Sequence, residues 1–432
     1  MLLDLLRELF YPVALSMVWL AGAGFIFYYP VLMSMVWVVG GLFFYWRYER
    51  KPRELPQLKE YPMVSILIPA RNEEESIAET VEAALEQDYP NFEIIVINDA
   101  STDNTGPIVE ELARKYEKVR ALSFMNNLGK AAALNAAFLL TNGEIIMAID
   151  ADCLLDPHAL RWMAYHFVTY PRVGAVTGNP RVRNRTTLLA KIQAAEYSSV
   201  IGLIKRTQRT LGKVLTISGV VSAFRKPALM SVGLWSTDMV TEDIDVTWKL
   251  EKKFWAIHYE LNAIAWILVP ETLGGYWKQR VRWAQGGIEV LRRHASVWKD
   301  SRTVRLWPLY IDYFFSVLWA FTFVLQTLGW VILVSLNIEV PEPFRANPFP
   351  FWNGSIAALV CLIQFAVSLY IDRGYDSSLP RYYFWVIWYP IFYWIFSSMA
   401  CIRATPKAMT KKAGTLAIWT SPDRGIRSTV VK

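Results

Sequence analysis

The sequence predicts an α/β domain with a parallel sheet that helices cover on both faces, flanked by transmembrane helices. Short apolar runs alternate with amphipathic segments between Met63 and Asp150, as in domains whose parallel strands are joined by helices. Hydrophobic residues make up 54% of the 432 residues, and 19 residues are tryptophan. This composition is typical of membrane spans with aromatic residues at the interfaces.

Charge and cysteine content narrow the class of protein further. The formal net charge is +7, and the basic residues cluster near apolar stretches, which favours a membrane surface over nucleic acid as their partner. Three cysteines (Cys153, Cys361 and Cys401) form no close pair, and the four histidines show no metal-ligand spacing. The sequence therefore indicates neither a disulfide framework nor a zinc site.

Residues 1–50 are predicted to form a hairpin of two membrane helices. The stretch Leu9–Tyr45 is almost uncharged, and at about 20 residues per span it holds two helices that turn at Pro30. A signal peptide is the alternative, but no strongly basic start or small-residue cleavage site is present. Four basic residues follow: Arg47, Arg50, Lys51 and Arg53. By the positive-inside rule, the domain after the linker 51–62 is expected in the cytoplasm.

Residues 63–275 carry the strand and helix pattern of the central domain. Strands are predicted at Val64–Ile68, Phe92–Ile97, Val119–Phe124 and Ile145–Ile149, with further strands near Val173, Val220 and Ile257. Helices are predicted at Glu75–Gln87, in the segment that ends at Tyr116, and at Lys130–Thr141.

Residues 276–306 are predicted to form amphipathic helices. An apolar stripe with alternating steps of four and three consists of Trp277, Val281, Ala284, Ile288, Leu291, Ala295 and Trp298. Basic residues surround this stripe, a pattern typical of helices that lie in the membrane interface. A coiled-coil or core-facing helix is the alternative, and Gly286-Gly287 is a potential break.

Residues 307–402 contain three more apolar stretches: Ile311–Leu336, Ile356–Ile371 and Tyr382–Ile402. The loop with Glu339, Glu342 and Arg345 is slightly acidic, as expected outside the cell. Two spans plus three would also place the tail 403–432 outside, although it carries Lys407, Lys411, Lys412, Arg424 and Arg427. Pro390 permits the last stretch to be re-entrant or interfacial.

Polar motifs follow the first four predicted strands. They are Pro69-Ala70-Arg71-Asn72-Glu73, Asn98-Asp99-Ala-Ser-Thr-Asp103, Asn127-Leu-Gly129-Lys130 and Asp150-Ala-Asp152. Any one of them is also typical of a turn or a helix cap, but parallel strands bring all four to one sheet edge, where ligands bind. Asp-x-Asp there suits a hard divalent cation that also holds a diphosphate. No phosphate-binding P-loop or dinucleotide fingerprint is present.

Two later motifs add candidate groups. Thr241-Glu242-Asp243 places two carboxylates together, a pattern that is also common on surfaces. Gln279, Arg282 and Trp283 have i, i+3 and i+4 spacing and so lie on one helical face. An amide, a guanidinium and an indole together suit a phosphate and a stacked sugar ring.

The ordered set of these motifs resembles the processive family-two glycosyltransferases, which include cellulose, chitin and hyaluronan synthases. Thr241–Trp248 and Glu271–Gly287 resemble most closely the bacterial poly-β-(1→6)-N-acetylglucosamine synthases. The resemblance covers Val64 to His294 in motifs. It implies a nucleotide-sugar glycosyltransferase A-type fold with flanking transmembrane α-helices. It also implies an inverting enzyme that polymerises N-acetylglucosamine from UDP-N-acetylglucosamine into a biofilm exopolysaccharide, coupled to export.

The resemblance also implies residue roles. Asp243 would be the general base, with Glu242 beside it, and Asp152 would hold Mg²⁺ or Mn²⁺. The nucleotide sugar would meet Ala70, Arg71, Glu73, Asp99, Lys130, Asp150, Gln279, Arg282 and Trp283. The acceptor would meet Ser218, Gly219 and Trp283.

The implied partners are UDP-N-acetylglucosamine, the growing polysaccharide, the lipid bilayer and a small accessory membrane subunit. The implied location is the bacterial plasma membrane, with several spans and a cytoplasmic catalytic domain. Hyaluronan-, chitin- or cellulose-like products remain alternatives, as does a transferase that adds one sugar to a lipid phosphate. A non-enzymatic polysaccharide-binding or export subunit is a third alternative, which the retained carboxylates disfavour.

Overall fold

A computed structural model describes residues 2–337, 354–387, 389–412 and 414–418. Within them the strands form one eight-stranded sheet in the order β3-β2-β1-β4-β7-β6-β8-β5. The strands are β1 (Val64–Ala70), β2 (Phe92–Asp99), β3 (Val119–Phe124), β4 (Ile145–Ile149), β5 (Leu154–Leu155), β6 (Val173–Val182), β7 (Val221–Arg225) and β8 (Ala256–Ile267). All seven predicted strands are present, β3 and β4 with their predicted bounds.

Helices surround the sheet and extend beyond it at both ends of the chain. Those up to β8 are α1 (Leu2–Phe44), α2 (Ile77–Leu85), α3 (Thr105–Lys115), α4 (Lys130–Phe138), α5 (Ala159–Thr169), α6 (Leu188–Glu196), α7 (Ile204–Thr210), α8 (Lys226–Ser231) and α9 (Glu242–Lys252). After β8 come α10 (Leu273–Arg293), α11 (Trp307–Ser335), α12 (Gly354–Asp372) and α13 (Tyr389–Thr410).

The first four strands are parallel, and the sheet is mixed beyond them. β1 pairs in parallel with β2 and β4, and β2 with β3. β7 is antiparallel to both β4 and β6, and β5 is antiparallel to β8. The parallel sheet predicted from the pattern between Met63 and Asp150 is therefore confirmed for β1 to β4, and the strands of the second half, whose direction was not predicted, are mixed. An apolar strand that is buried on both faces has the same residue pattern in either direction, so the pattern does not reveal orientation.

Both faces of the central strands are covered, which explains their continuous apolar runs. Ile66 and Ile68 of β1 face a cluster that includes residues of α2, α3 and α5. Leu67, between them, faces the opposite cluster, with residues of α4, α8 and α9. The domain thus has three layers, and loops at the strand ends are left to form a site.

The predicted N-terminal hairpin is wrong, because α1 continues through Pro30 as one helix. The hydroxyl of Tyr29 donates to the backbone carbonyl of Asp312 on α11 at 2.9 Å, next to this proline. Neighbouring helices allow a membrane helix to tolerate proline, because they restore the packing and polar contacts that the ring disturbs. Among the described residues, three helical segments are long and apolar enough to cross a membrane: Ser16–Glu49, Ser301–Ser335 and Gly354–Asp372.

Five predicted spans would place the basic tail outside the cell, whereas three candidate spans place it on the same side as the sheet domain. The predicted stretch Tyr382–Ile402 is divided between a 3₁₀ segment, Leu379–Val386, and α13. After α13 the chain returns to the sheet domain, where the amide of Ala417 donates to the carbonyl of Thr237 at 2.9 Å. The described part of the tail therefore lies on the same side as the sheet. The predicted acidic loop (Glu339, Glu342, Arg345) and the tail residues Arg424 and Arg427 lie outside the described residues.

The apolar stripe of α10 packs inside the protein. Val281 and Ile288 are buried with Ala320 of α11 and with Ala400 and Ala404 of α13. The core-facing alternative therefore describes this part of the stripe, and the place of residues 276–306 in the membrane interface stays a prediction. An amphipathic pattern shows that one face needs apolar cover but does not show what covers it.

The glycine pair does not break α10, which is continuous from Leu273 to Arg293. A Cβ atom on Gly286 would collide with the side chain of Thr241, directly before α9. A Cβ atom on Gly287 would collide with the Tyr313 hydroxyl of α11. Both glycines therefore serve close packing, and Gly286 lets α10 approach the start of α9.

Candidate active site

The motifs that follow β1 and β2 are joined by direct hydrogen bonds. The guanidinium of Arg71 donates to the backbone carbonyls of Asp99 and Ala100, at 2.6 and 2.9 Å. The side-chain oxygen of Asn72 accepts from the amide of Thr102 at 2.8 Å. The adjacency of β1 and β2 thus brings the first two predicted motifs together at one sheet edge.

Two residues at this edge have left-handed backbone conformations. Asn72 and Ala100 each have a φ of 53°. Asparagine tolerates this region, but alanine adopts it at a cost of about 1 kcal/mol or more. The two bonds from Arg71 hold the Ala100 loop in this conformation, and strain of this kind is concentrated at ligand sites.

The third motif is attached through Asp99, which is fully buried. Its two carboxylate oxygens accept from the backbone amides of Leu128 and Gly129, at 2.9 and 3.0 Å. Asp99 therefore orients the loop before α4. This contact was not visible in the sequence, which offered only a carboxylate at a strand end.

Lys130, the first residue of α4, connects three parts of the site. Its ammonium lies 2.5 Å from Oδ1 of Asp150, at the end of β4. The same nitrogen donates to the carbonyl of Gly219 at 3.0 Å and lies 3.4 Å from Oε1 of Glu242. Burial disfavours the charge of Lys130, but Asp150 and Glu242 outweigh this effect and raise the pKa of its ammonium. Lys130 is therefore a cation at neutral pH.

The Asp150-Ala-Asp152 motif places a second carboxylate beside this cation. Asp152 is 2% exposed, and Cys153 next to it is fully buried. Burial raises the pKa of the Cys153 thiol, and Asp152 and Asp150 raise it further. The described residues contain no group of three or more His, Cys, Asp or Glu side chains able to hold a metal ion. Two hard carboxylates without histidine or thiolate fit an ion of the Mg²⁺ type, which takes its other ligands from phosphates and water.

Asp243 is held at the start of α9. Its Oδ2 accepts from the amide of Gly219 at 3.1 Å. Burial raises the pKa of the Asp243 carboxyl, and Glu242 raises it further, to about 6; Lys130 and Arg282 oppose the shift. The carboxylate is thus more basic than an ordinary aspartate and is still ionised at neutral pH, the state that a general base requires.

The Ser218–Gly219 turn lies directly against Asp243. The amide of Ser218 donates to the Thr177 hydroxyl at 2.9 Å. A Cβ atom on Gly219 would lie 2.9 Å from Oδ2 of Asp243, so a larger residue would displace the carboxylate. Gly219, one of the three predicted acceptor residues, is therefore in contact with the predicted base.

The motif on α10 is arranged around a residue that the prediction missed. The guanidinium of Arg280 lies 4.2 Å from the ring centroid of Trp283 and forms a buried ion pair with Glu196 at 2.9 Å. Arg282 is exposed, and the buried amide oxygen of Gln279 accepts no hydrogen bond within the described part of the chain. Arg280 precedes Trp283 by three residues, so their spacing on a helix could have predicted this contact from the sequence.

The remaining predicted residues lie behind the edge. Ala70 is the buried last residue of β1. Glu73 is 4% exposed, and its Oε2 accepts from the hydroxyl of Ser76 at 3.0 Å. The contacts form a connected network: Arg71 with Asp99, Asp99 with Gly129, Lys130 with Asp150, Gly219 and Glu242, and Gly219 with Asp243.

A C-terminal segment, residues 414–418, lies beside this edge. A Cβ atom on Gly129 would collide with the carbonyl oxygen of Ala417. Lys411, shortly before this segment, attaches the chain to the domain. Its ammonium donates to the carbonyl of Asp238 at 2.7 Å and lies 3.2 Å from Glu289. Nothing in the sequence indicated that this part of the tail contacts the loop before α4.

The mixed sheet and its helical layers form a glycosyltransferase A-type fold. A family model described as glycosyltransferase like family 2 matches residues 62–286, and the chain belongs to this glycosyltransferase family. The matched region includes every predicted site residue.

Curated relatives narrow the class. The chain is 40% identical over 422 residues to the poly-β-1,6-N-acetyl-D-glucosamine synthase of Staphylococcus epidermidis, covering 96% of this chain and 97% of that protein. It is 40% identical over 417 residues to the enzyme of the same name from Staphylococcus aureus, with the same coverage. The mannosyltransferase PcManGT of Pyrobaculum calidifontis, solved with GDP-Man and Mn²⁺, matches with a TM-score of 0.52. The two proteins are 21% identical, and the match covers 89% of this chain and 99% of the mannosyltransferase. This similarity supports the assignment of the fold.

Proposed function

We propose that this chain polymerises N-acetylglucosamine from UDP-N-acetylglucosamine into poly-β-(1→6)-N-acetylglucosamine. The observation that carries the proposal is the contact of one ammonium, that of Lys130, with Asp150 and Glu242. This contact unites the nucleotide-sugar motif at the end of β4 with the base motif of α9. The choice of polymer is supported by the near full-length similarity to synthases of that name.

The donor side of the site consists of the loops after β1 to β4. In this proposal Ala70, Arg71, Glu73 and Asp99 shape the uridine pocket, since their contacts hold the loops at this edge. Asp150 meets the ribose, and Lys130 offers its positive charge to the diphosphate. Gln279 and Arg282 close over the same phosphates from α10, and Trp283 stacks on the acceptor sugar.

The acceptor side is built around Asp243. This carboxylate takes the proton from the attacking hydroxyl, a role that its raised pKa favours. Ser218 and Gly219 fix its position and border the acceptor, and Glu242 contributes through its contact with Lys130. Attack from the side opposite the leaving UDP inverts the configuration from an α-linked donor to a β-linked product.

A divalent cation belongs to this proposal. Asp152 would hold Mg²⁺ or Mn²⁺ together with the diphosphate of the donor. When bound, such an ion neutralises charge on the departing diphosphate. Asp150 is engaged by Lys130 at 2.5 Å, which leaves Asp152 as the principal protein ligand.

The proposed location is a bacterial plasma membrane with the catalytic domain in the cytoplasm. Basic residues follow α1 directly, and the basic residues Lys407 and Lys411 at the end of α13 lie on the same side of the candidate spans as the sheet domain. Both observations agree with the positive-inside rule. A small accessory membrane subunit and coupling to polysaccharide export complete the proposal.

Polymer formation in purified membranes tests the function. The full-length chain is supplied with radiolabelled UDP-N-acetylglucosamine and Mg²⁺, and labelled polymer is measured before and after digestion. The expected product resists chitinase and is degraded by a hexosaminidase specific for β-(1→6) linkages. A polymer digested by chitinase, or one that forms only when UDP-glucuronic acid is added, would contradict the proposal. Transfer of a single sugar to lipid would contradict it as well.

A further inference from the structure

Lys205 on α7 is a buried lysine for which the proposed mechanism has no role. It is 3% exposed, and no described carboxylate lies within ion-pair distance of its ammonium. Its nitrogen lies 3.3 Å from the hydroxyl of Thr177 and 5.4 Å from the ring centroid of Tyr259. Burying an ammonium without a paired carboxylate is costly, and an apolar side chain would fill the same space at no such cost. A lysine at this position therefore needs a use for its charge.

A chain of hydrogen bonds leads from Lys205 to the base. The hydroxyl of Thr177 accepts from the Lys205 ammonium and, at 2.9 Å, from the amide of Ser218. The next amide, that of Gly219, donates to Oδ2 of Asp243 at 3.1 Å. Lys205 thus fastens one end of the Ser218–Gly219 turn, and Asp243 is held by the other end.

The charges around the base include Lys205. The charged groups that face Asp243 are Glu242 on its own helix, Lys130 on α4, Arg282 on α10 and Lys205 on α7. Burial lowers the pKa of the Lys205 ammonium to about 8, and Asp243 opposes this shift. Lys205 therefore carries its charge at neutral pH, near enough to stabilise the ionised carboxylate.

We propose that Lys205 is a positioning residue for the base: through Thr177 it holds the Ser218–Gly219 turn that orients Asp243, and its charge favours the ionised form of Asp243. This inference rests on the proposed role of Asp243. It assigns Lys205 to the acceptor half of the reaction. The donor pocket is built from the loops after β1 to β4, and Lys205 has no hydrogen bond to them among the described contacts.

The test compares Lys205→Met with the wild type as full-length protein in nanodiscs. Methionine keeps the length and apolar body of the side chain and removes only the charge and its hydrogen bonds. We expect kcat to fall about tenfold or more, as a misplaced catalytic group requires. UDP affinity by calorimetry should change less than about twofold. The acid limb of the kcat profile should move to higher pH by about half a unit or more, because the loss of a nearby positive charge raises the pKa of Asp243.

Three further variants separate charge from folding. Lys205→Arg keeps the charge and should restore the acid limb. Thr177→Val removes the hydroxyl that relays the contact, so kcat should fall while the acid limb stays in place. Gln208→Met, on the same helix, removes a buried uncharged side chain that accepts from the amide of Leu215 at 3.0 Å. This control should lower stability and leave the pH profile unchanged.

The outcomes that overturn the inference are specific. An unchanged kcat and acid limb in Lys205→Met, or an equal pH shift in Gln208→Met, would remove Lys205 from the reaction. If Lys205→Met does not fold, an unchanged kcat in Thr177→Val would overturn the positioning role. The proposed function is judged separately, by the polymer that the wild type makes from UDP-N-acetylglucosamine. If the wild type uses another donor, the variants are compared by UDP release from that donor.

Discussion

The ammonium of Lys130 lies 2.5 Å from the carboxylate of Asp150, so the start of α4 is fastened to the end of β4. The two residues are distant in sequence and belong to different motifs. Glu242 approaches the same ammonium from α9. The positive charge of Lys130 thus offsets the repulsion between the carboxylates of Asp150 and Glu242.

Lys130→Met should reduce kcat/KM by about 100-fold or more. The substitution removes the cation between Asp150 and Glu242 and leaves two partly buried carboxylates without compensation, which is costly. UDP affinity by calorimetry should fall together with activity. Lys118→Met, an exposed lysine after α3, is the matched control and should retain both. Unchanged UDP affinity in Lys130→Met would place this lysine outside the donor site.

Asp243→Asn should leave UDP binding within about twofold and lower turnover by about 100-fold or more, the scale of a lost general base. In the wild type, the rate should rise with pH through about pH 6, because the base must be ionised and its pKa is about 6. Calorimetry and a radiolabel assay measure the two effects. Lost UDP binding would make Asp243 a donor-site residue, and retained turnover would move the base to Glu242.

The same substitution should stabilise the protein at neutral pH. The pKa of Asp243 is about 6 when folded and 3.8 ordinarily, so the folded state binds more protons between these values. Its free energy of unfolding therefore decreases as pH rises from about 4 to about 6. Asp243→Asn avoids this loss, which amounts to at most about 3 kcal/mol. Its Tm should exceed that of the wild type at pH 7.5, and the difference should vanish near pH 4.

Asp245, on the same helix, provides the opposite control for this stability measurement. Burial raises its pKa, but hydrogen bonds from His294 and Ser236 outweigh burial and lower it. Its contribution to stability is therefore present at neutral pH and lost in acid. Asp245→Asn should lower the Tm at pH 7.5. If Asp243→Asn and Asp245→Asn change the Tm by the same amount in the same direction, the environments assigned to Asp243 and Asp245 are wrong.

Asp152→Asn should abolish polymer synthesis while expression and membrane insertion remain normal. EDTA should act in the same way on the wild type, and Mg²⁺ or Mn²⁺ should restore activity. Binding of Mn²⁺ in the presence of UDP, measured by electron paramagnetic resonance, gives a readout independent of turnover. Asp156→Asn, after β5, is the control. Full Mn²⁺ binding by Asp152→Asn would exclude this carboxylate as the ligand.

Gly129→Ala should loosen the C-terminal segment 414–418. Gly129 has a φ of 84°, and a Cβ atom there would meet the carbonyl of Ala417. Gly414 has a φ of 80°, but no described atom lies within 4 Å of the corresponding Cβ position. Both alanine variants carry backbone strain of about 1 kcal/mol or more, which is larger at Gly129 because its ψ of 158° lies in a region that essentially only glycine adopts, and only Gly129→Ala adds the collision. Faster proteolysis of the tail in Gly129→Ala than in Gly414→Ala is expected; equal rates would contradict the contact.

Residue patterns alone determined the parallel half of the sheet and the edge at which the motifs meet. Strand period and helix spacing are local properties, and parallel strands place their carboxyl ends together. Arg71, Lys130 and Asp150 could therefore be assigned to one site before their contacts were known. The resemblance of the motif order to family-two glycosyltransferases added the roles proposed for Asp152 and Asp243.

Tertiary structure alone decided how apolar and charged surfaces are paired. The residue pattern at Pro30 suits a turn or a continuous helix, and packing of α1 against α11 favours the helix. The stripe containing Val281 needs apolar cover, and α11 and α13 supply it. Asp99 holds the backbone of Gly129, and Lys205 reaches the turn beside Asp243, through contacts between residues far apart in the chain. Such pairings depend on which surfaces meet after folding, and local periodicity carries no information about that choice.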